Sequence, residues 1–325
     1  MFWKKPWKLK EGFLIGAALI VLSLILQVVS GPVSWEKFAW PVNIVVLGAL
    51  LLFIIFGYAL RRRLYFLQFF MTMAAAVPAM TYAVVMTTVM GLVRQQDDGS
   101  WLGSMLTFWP FVVIYAYVVV ILGLVIVRQA KTAALGLVRG EGFSSTFLRS
   151  SLFIHLGLFM ALTTGTLGNA DMKQLQMWTT NNPEMANTLS ESNMFQKYQR
   201  TAIDHNDRKV ELPLAVELKR FIMEKHDDGS PRRFASELVV YSKSSMHQFA
   251  ATVDVNHPVE IDGWKIYQKD FRLTEAGDKC QISILELVRD PWLPWVYAGI
   301  YLMLGGALLL LVFGKRKRQP LADNN

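Results

Sequence analysis

The residue best placed to do chemistry is His155, the one histidine inside any of the long apolar stretches, in the run from Ser151 to Met160. An imidazole in hydrocarbon is costly without a partner, and ionisable groups within spanning helices face the bundle or a cavity and often mark a substrate, ion or cofactor path. Neutral imidazole is also a common axial ligand for haem iron. At 3.6 residues per turn His155 shares a face with Leu148, Leu152, Phe159 and Leu162, an apolar wall suited to a porphyrin. Gly157, Ala161 and Gly165 form a small-residue ridge about a third of a turn away. A helical rise of ~1.5 Å per residue places the imidazole on the order of 10 Å in from Leu148. Two readings stay open at this point: a hydrogen bond to a neighbouring helix, or ligation of a metal centre.

The other four histidines, His205, His226, His247 and His257, stand in polar contexts without the spacing of a metal site and read as solvated loop residues. The single cysteine, Cys280, excludes an internal disulfide framework, a Cys-x-x-Cys redox pair and a Cys-x-x-Cys-His attachment motif, and reads as an inert thiol. Trp35, Trp40, Trp101, Trp109, Trp292 and Trp295 fall near the ends of apolar stretches, as an interfacial belt would place them. There is no Gly-rich phosphate loop, nucleophile elbow or paired-carboxylate arrangement, so no catalytic residue is assigned.

The elements that must position His155 are long and greasy. Of 325 residues, 53% are hydrophobic, beyond the range of ordinary soluble domains. Six stretches reach the roughly 20 apolar residues that a membrane helix needs: about 12–30, 42–60, 66–93, 103–127, 148–168 and 294–313. The first follows Lys4, Lys5, Lys8 and Lys10 but leads directly into more apolar segments, so it reads as a first spanning helix rather than a cleaved leader. Pro78 predicts a kink or tilt in the third.

Orientation comes from Lys and Arg in the short loops. With both termini cytoplasmic, the basic clusters at 4–10, 61–63, 128–149 and 315–318 all lie inside, against only Lys37 and Arg94 outside. The segment 169–290 then lies outside the cytoplasm with a net charge of −3, leaving +11 on the remainder. The overall +8 is therefore a topology signal and nucleic acid is not an expected partner; the lipid bilayer is.

Composition divides the chain into a membrane domain of five helices (1–168), an extracytoplasmic β-rich domain (169–290), and a final helix with a basic cytoplasmic tail (291–325). The expected architecture is an α-helical membrane bundle of about six transmembrane helices with that β-rich domain inserted before the last helix. Within the outer segment, 169–207 reads as short helix and loop around Pro183. Beyond it the period becomes two: Leu214, Val216 and Leu218; a turn at Asp228-Gly229; Phe234 to Tyr241; Phe249, Ala251, Val253 and Val255; a turn at Asp262-Gly263; Trp264 to Gln268; and Gln281 to Leu287. Five or six strands in a small antiparallel sheet or sandwich are predicted.

Several of these runs resemble the ResB/CcsB family of cytochrome c biogenesis proteins of the System II pathway. They are Leu212-Pro213-Leu214 to Phe221, Asp228-Gly229-Ser230-Pro231 with Phe234, Ser236 and Leu238, Val255-Asn256-His257-Pro258-Val259, Gly263 with Ile266-Tyr267-Gln268, Asp290-Pro291, and His155-Leu156-Gly157 as the membrane histidine. The likeness covers about 148–313. It implies a multi-pass protein of the bacterial inner membrane that carries haem across and supports its covalent attachment to apocytochrome c, with His155 as axial ligand to the iron of transiently bound haem b. It also implies a haem lyase subunit without a complete active site of its own. The implied partners are apocytochrome c, a thioredoxin-like reductase and a separate CcsA-like haem-handling subunit, because the tryptophan-rich motif of that subunit is not present here. The chain also departs from the family in having more spanning helices than usual before the outer domain. The alternative is a non-catalytic scaffold that stabilises the CcsA-like partner and docks apocytochrome c.

Overall fold

The computed structural model describes residues 6–95, 100–138, 142–182, 198–228, 231–273 and 280–313, the side chains of 137, 142–149, 231, 280, 281 and 313 excepted. Its contacts divide the chain into two units, Met1–Asp171 with Trp292–Asn325, and Met172–Pro291.

Among the described residues the first unit holds six helices long and apolar enough to cross a membrane: α1 (Leu9–Ser30), α2 (Val42–Leu60), α3 (Met73–Leu92), α4 (Trp109–Val138), α5 (Gly142–Gly168) and α6 (Leu293–Phe313). Their outward faces are as apolar as their inner ones. Val21, Leu22, Leu52, Phe56, Val84 and Leu311 are all exposed, which suits lipid and would be untenable in water.

Several helix starts differ from the sequence reading: α1 and α5 begin earlier, at Leu9 and Gly142, and two begin later. The third apolar stretch opens as a 3-10 helix, Tyr65–Met71, and α3 begins only after Thr72, whose hydroxyl and N–H both bond back to the Phe69 carbonyl. The helix then runs unbroken through Pro78. The fourth stretch opens as a short 3-10 turn, and α4 starts at Trp109-Pro110, where a proline's missing N–H would have had no helical partner.

Small residues bring the backbones together. In α1, Gly12 and Gly16 form a Gly-x-x-x-Gly pair: a Cβ on Gly12 would lie 2.1 Å from the Ala74 carbonyl and one on Gly16 would enter the Tyr82 ring. The Tyr82 hydroxyl donates to the Phe13 carbonyl across the same contact.

Among the described residues the second unit is one antiparallel eight-stranded sheet, ordered β5-β4-β3-β2-β1-β8-β7-β6. Its strands are β1 (Lys173–Thr179), β2 (Gln199–Ile203), β3 (Lys209–Lys225), β4 (Pro231–Ser242), β5 (Gln248–Asp254), β6 (Val259–Ile261), β7 (Trp264–Leu273) and β8 (Cys280–Arg289). The sheet curls into a barrel-like form. Met177, Leu214, Val216, Leu238, Val253, Ile266 and Leu285 from strands all along the order share one core.

Two expectations are corrected here. The region read as helix and loop contributes β1 and β2: Leu175, Met177 and Thr179 point inward, and β1 pairs with β8 along its whole length. The sheet has eight strands, and of the β5 alternation only Val253 is buried, while Phe249 is exposed and Val255 lies beyond the strand. Asp262 and Gly263 both have positive φ, the requirement of a two-residue type I′ hairpin, and join Ile261 to Trp264. Pro183, Gly229 and the basic residues 315–318 lie outside the described residues.

Candidate functional site

His155 lies in the middle of α5, half-buried. Its Nδ1 stands 2.6 Å from the Ser151 carbonyl, one turn back, and 3.3 Å from the Ser151 hydroxyl. A lone pair on Nδ1 would repel a carbonyl oxygen at that separation, so Nδ1 carries the proton and donates it. The proton position follows from the bonding pattern, and it leaves Nε2 as the basic nitrogen. Among the described residues Nε2 has no hydrogen-bond partner. A ring held through Nδ1–H to a backbone carbonyl with Nε2 open is the arrangement that prepares a histidine to ligate a metal.

Neighbouring groups hold Ser151 in turn. Gln129 of α4 donates from Nε2 to the Ser151 hydroxyl at 3.2 Å, while its own carbonyl oxygen is buried without a partner among the described residues. Phe159, one turn beyond His155, is buried against Ile54, Val119 and Leu122, with Leu158 and Leu162 packed on the same cluster. Of the face shared with His155, Leu152 is half-buried, and the side chain of Leu148 lies outside the described residues.

The glycine ridge of α5 meets α6. A Cβ on Gly157 would stand 2.4 Å from the Gly299 carbonyl and 2.5 Å from the Met303 nitrogen, and one on Gly299 would meet the Ala161 nitrogen at 2.7 Å. Gly306 approaches Ser150 and Ile154 equally closely, and Gly168 approaches Trp292. Backbone against backbone leaves no freedom to rotate α5, so the ridge fixes which way His155 points.

A second polar node escaped the sequence reading. The Asp171 carboxylate accepts from the Trp40 N–H, the Asn43 side-chain amide and the Trp292 indole, each at 2.7 Å. Asn43 is fully buried and also reaches the Leu167 carbonyl. Likewise Gln27, buried in α1, caps α4 by accepting the Trp109 N–H, and the Trp109 indole donates to the Gly31 carbonyl. An amide inside an otherwise apolar span was the available signal for both. Trp35, Trp109 and Trp292 therefore spend their indole N–H groups on protein acceptors, whereas Trp40, Trp101 and Trp295 are exposed as belt residues are.

In the barrel, Ser236 of β4 and Gln268 of β7, both singled out by the sequence, bond to each other at 2.6 Å, and Ser236 also meets Ser283 of β8 at 2.7 Å. All three are fully buried. Strands that are not neighbours in the sheet are thus joined through its interior. Outside the core, Glu217 is buried between Lys219 and the Tyr241 hydroxyl, whose pKa is raised by burial and then by that carboxylate. His205, His226, His247 and His257 are surface residues, and no three His, Cys, Asp or Glu converge as a metal site among the described residues. The Cys280 side chain lies outside the described residues.

Residues 149–286 match the family described as ResB-like. A relative from Prochlorococcus marinus subsp. pastoris named cytochrome c biogenesis protein CcsB is 26% identical over 140 residues, 43% of this chain and 28% of that protein. A CcsB from another Prochlorococcus marinus strain is 36% identical over 59 residues, 18% of this chain and 14% of the relative. The chain thus spans less than a third of the length of either relative. A solved cytochrome c haem lyase, CcmF, aligns over 70% of this chain and 34% of its own with 14% identity and a TM-score of 0.36, too loose a likeness to bear on function. The segment that carries His155, Ser236 and Gln268 is thus similar to the ResB-like family and to the two proteins named CcsB.

Proposed function

We propose that this chain is a ResB/CcsB-like subunit of a membrane cytochrome c synthase, in which His155 ligates haem iron while haem crosses the bilayer. The observation that carries the reading is the 2.6 Å contact from His155 Nδ1 to the Ser151 carbonyl inside an apolar span. It supports a proton on Nδ1 and leaves Nε2 as the nitrogen open to a ligand. Haem, when bound, would supply an iron centre that His155 would hold through Nε2. The chain's own part is to hold the ring: Ser151 orients it, Gln129 steadies Ser151, and the α5–α6 glycine contacts fix its direction. The imidazole is half-buried, and a CcsA-like subunit would complete the haem environment. The names of the two relatives support cytochrome c maturation as the setting. The lopsided Lys and Arg distribution supports a bacterial inner-membrane orientation with both termini cytoplasmic and the barrel outside, where apocytochrome c and a thioredoxin-like reductase would meet it.

The test is co-purification with a CcsA-like partner. The wild type should carry substoichiometric haem b; His155→Ala should lose its Soret absorbance with partner abundance unchanged, and added imidazole should restore it. Unchanged haem in His155→Ala removes the residue from the mechanism. If haem and cytochrome c yield survive His155→Ala, yet both yield and partner abundance fall on deleting 172–291, the scaffold reading stands instead.

A further inference from the structure

A cavity of about 890 Å³ opens on the Lys/Arg-rich face of the bundle, where α2 ends and the 3-10 helix Tyr65–Met71 begins; Arg61, Arg62 and Arg128 line it together with Trp7, Gln68 and Thr72. Three cations share one cavity, and among the described residues no carboxylate lines it. Two of the guanidinium groups are held. Arg61 donates from one Nη to the Tyr58 carbonyl at 2.6 Å with its guanidinium 3.6 Å over the Tyr58 ring, and Arg128 donates to the Met71 carbonyl at 2.7 Å. Each uses one of its five N–H donors in these bonds. Arg62 is exposed, and none of the three forms an ion pair among the described residues.

Basic residues flanking spanning helices ordinarily record topology and point into water. Arg63 and Lys131 do so, exposed and outside the cavity. Arg61, Arg62 and Arg128 differ because they converge from α2 and α4 on one space. Repulsion among three like charges without a counter-charge is relieved by a bound anion, and fixed guanidinium forks suit phosphate oxygens. The depth identifies the source of that phosphate. The cavity lies between the end of one spanning helix and the start of the next, at headgroup level, and Met71, Met73 and Ala74 give it an apolar border.

We infer that this cavity is a binding site for the headgroup of an anionic phospholipid, best filled by one carrying two phosphates. The site is independent of haem and of His155. It follows the general rule that basic pockets between membrane helices take such headgroups.

The test is lipid binding to the full chain, followed by native mass spectrometry in detergent and by retention in nanodiscs of phosphatidylcholine doped with phosphatidylglycerol or cardiolipin. Cardiolipin should be retained over phosphatidylcholine. Arg62→Gln should weaken it about five-fold, and Arg61→Gln with Arg128→Gln about twenty-five-fold, from about 1 kcal/mol per basic side chain. Arg63→Gln removes the same charge from the same turn and should change nothing. Equal losses in Arg62→Gln and Arg63→Gln reduce the effect to surface charge and overturn the site. Binding of inorganic phosphate alone with the same arginine dependence, and no lipid selectivity, assigns a free-phosphate site and overturns the lipid.

Discussion

Replacing Asp171 with alanine removes one carboxylate and three bonds, to the Trp40 N–H, the Asn43 amide and the Trp292 indole. Their worth can be bounded. Hydrogen bonds between membrane helices average about 0.6 kcal/mol, and an ionised acceptor roughly doubles a bond. Three such bonds come to roughly 3 to 4 kcal/mol. The Trp40 N–H is exposed enough for water to replace its partner, whereas Asn43 and Trp292 are buried and lose theirs outright. We therefore expect Asp171→Ala to cost about 3 kcal/mol. Asp171→Asn keeps one oxygen for the two buried donors and should cost about 1 kcal/mol. Trp292→Phe should cost about 1 kcal/mol on its own, and less in the Asp171→Ala background, because the bond is already gone. Unfolding in mixed SDS micelles, followed by tryptophan emission, measures all four chains. If Asp171→Asn is as unstable as Asp171→Ala, net charge rather than the pattern of three donors holds this node. If the cycle shows no coupling between Asp171 and Trp292, the bond between them contributes nothing.

Gly157→Ala should destabilise the bundle by more than 2 kcal/mol, because its methyl would meet α6 backbone, which cannot swing aside; it should also lower haem occupancy without touching His155, both read on the co-purified complex. Gln268→Ala should cost about 3 kcal/mol in unfolding of the barrel, from the cavity left and the loss of its bonds to Ser236 and Ser283, which keep each other, while Ser236→Ala should cost about 1 kcal/mol. Asp254 accepts from the Arg233 guanidinium at 2.9 Å, and that bond holds its carboxyl below the usual range. A depressed carboxylate contributes stability above its unfolded value, near 3.9. That stability is lost as pH falls below there through the folded value. A denaturant titration of the whole chain should therefore show the barrel losing stability on acidification below about pH 4, and Asp254→Asn should flatten that dependence.

Much of this was legible because two different solvents leave two different patterns. Twenty apolar residues without charge can only be a span, and α2 and α6 lie within a residue of where hydropathy put them. Starts were less legible where aromatic residues continue the apolar run without continuing the helix, as in Tyr65–Met71, since hydropathy does not distinguish α from 3-10 geometry. β1 was lost because Gln174, Gln176 and Met177 are good helix formers, and the period-two pattern of Leu175, Met177 and Thr179 is only seven residues long. Tertiary pairing with β8 overrides that local preference. For the site, His155 stood out by type, but its tautomer depends on where the Ser151 carbonyl lies, which spacing suggests and only geometry supplies. Asp171 was invisible because its donors come from residues 40, 43 and 292, three places far apart in the chain.

The motif residues of the barrel and the histidine of α5 answer to different pressures, and this bears on what the family likeness can carry. Ser236 and Gln268 bond to each other inside a closed core, so their presence reports that the barrel folds, and any protein with this barrel would need them or a substitute. His155 has no such excuse. Ser151 satisfies Nδ1, and the close packing of α5 on α6 runs through Gly157, Ala161 and Gly299 on another side of the helix. A leucine at 155 would spare the cost of a polar ring in an apolar span. An imidazole held through Nδ1 with Nε2 open is what the proposed ligand role requires. His155→Leu should accordingly raise the stability of the isolated chain, or leave it unchanged, while abolishing haem occupancy in the complex. A destabilised His155→Leu would mean that the ring belongs to the packing, and the case for ligation would lose its footing.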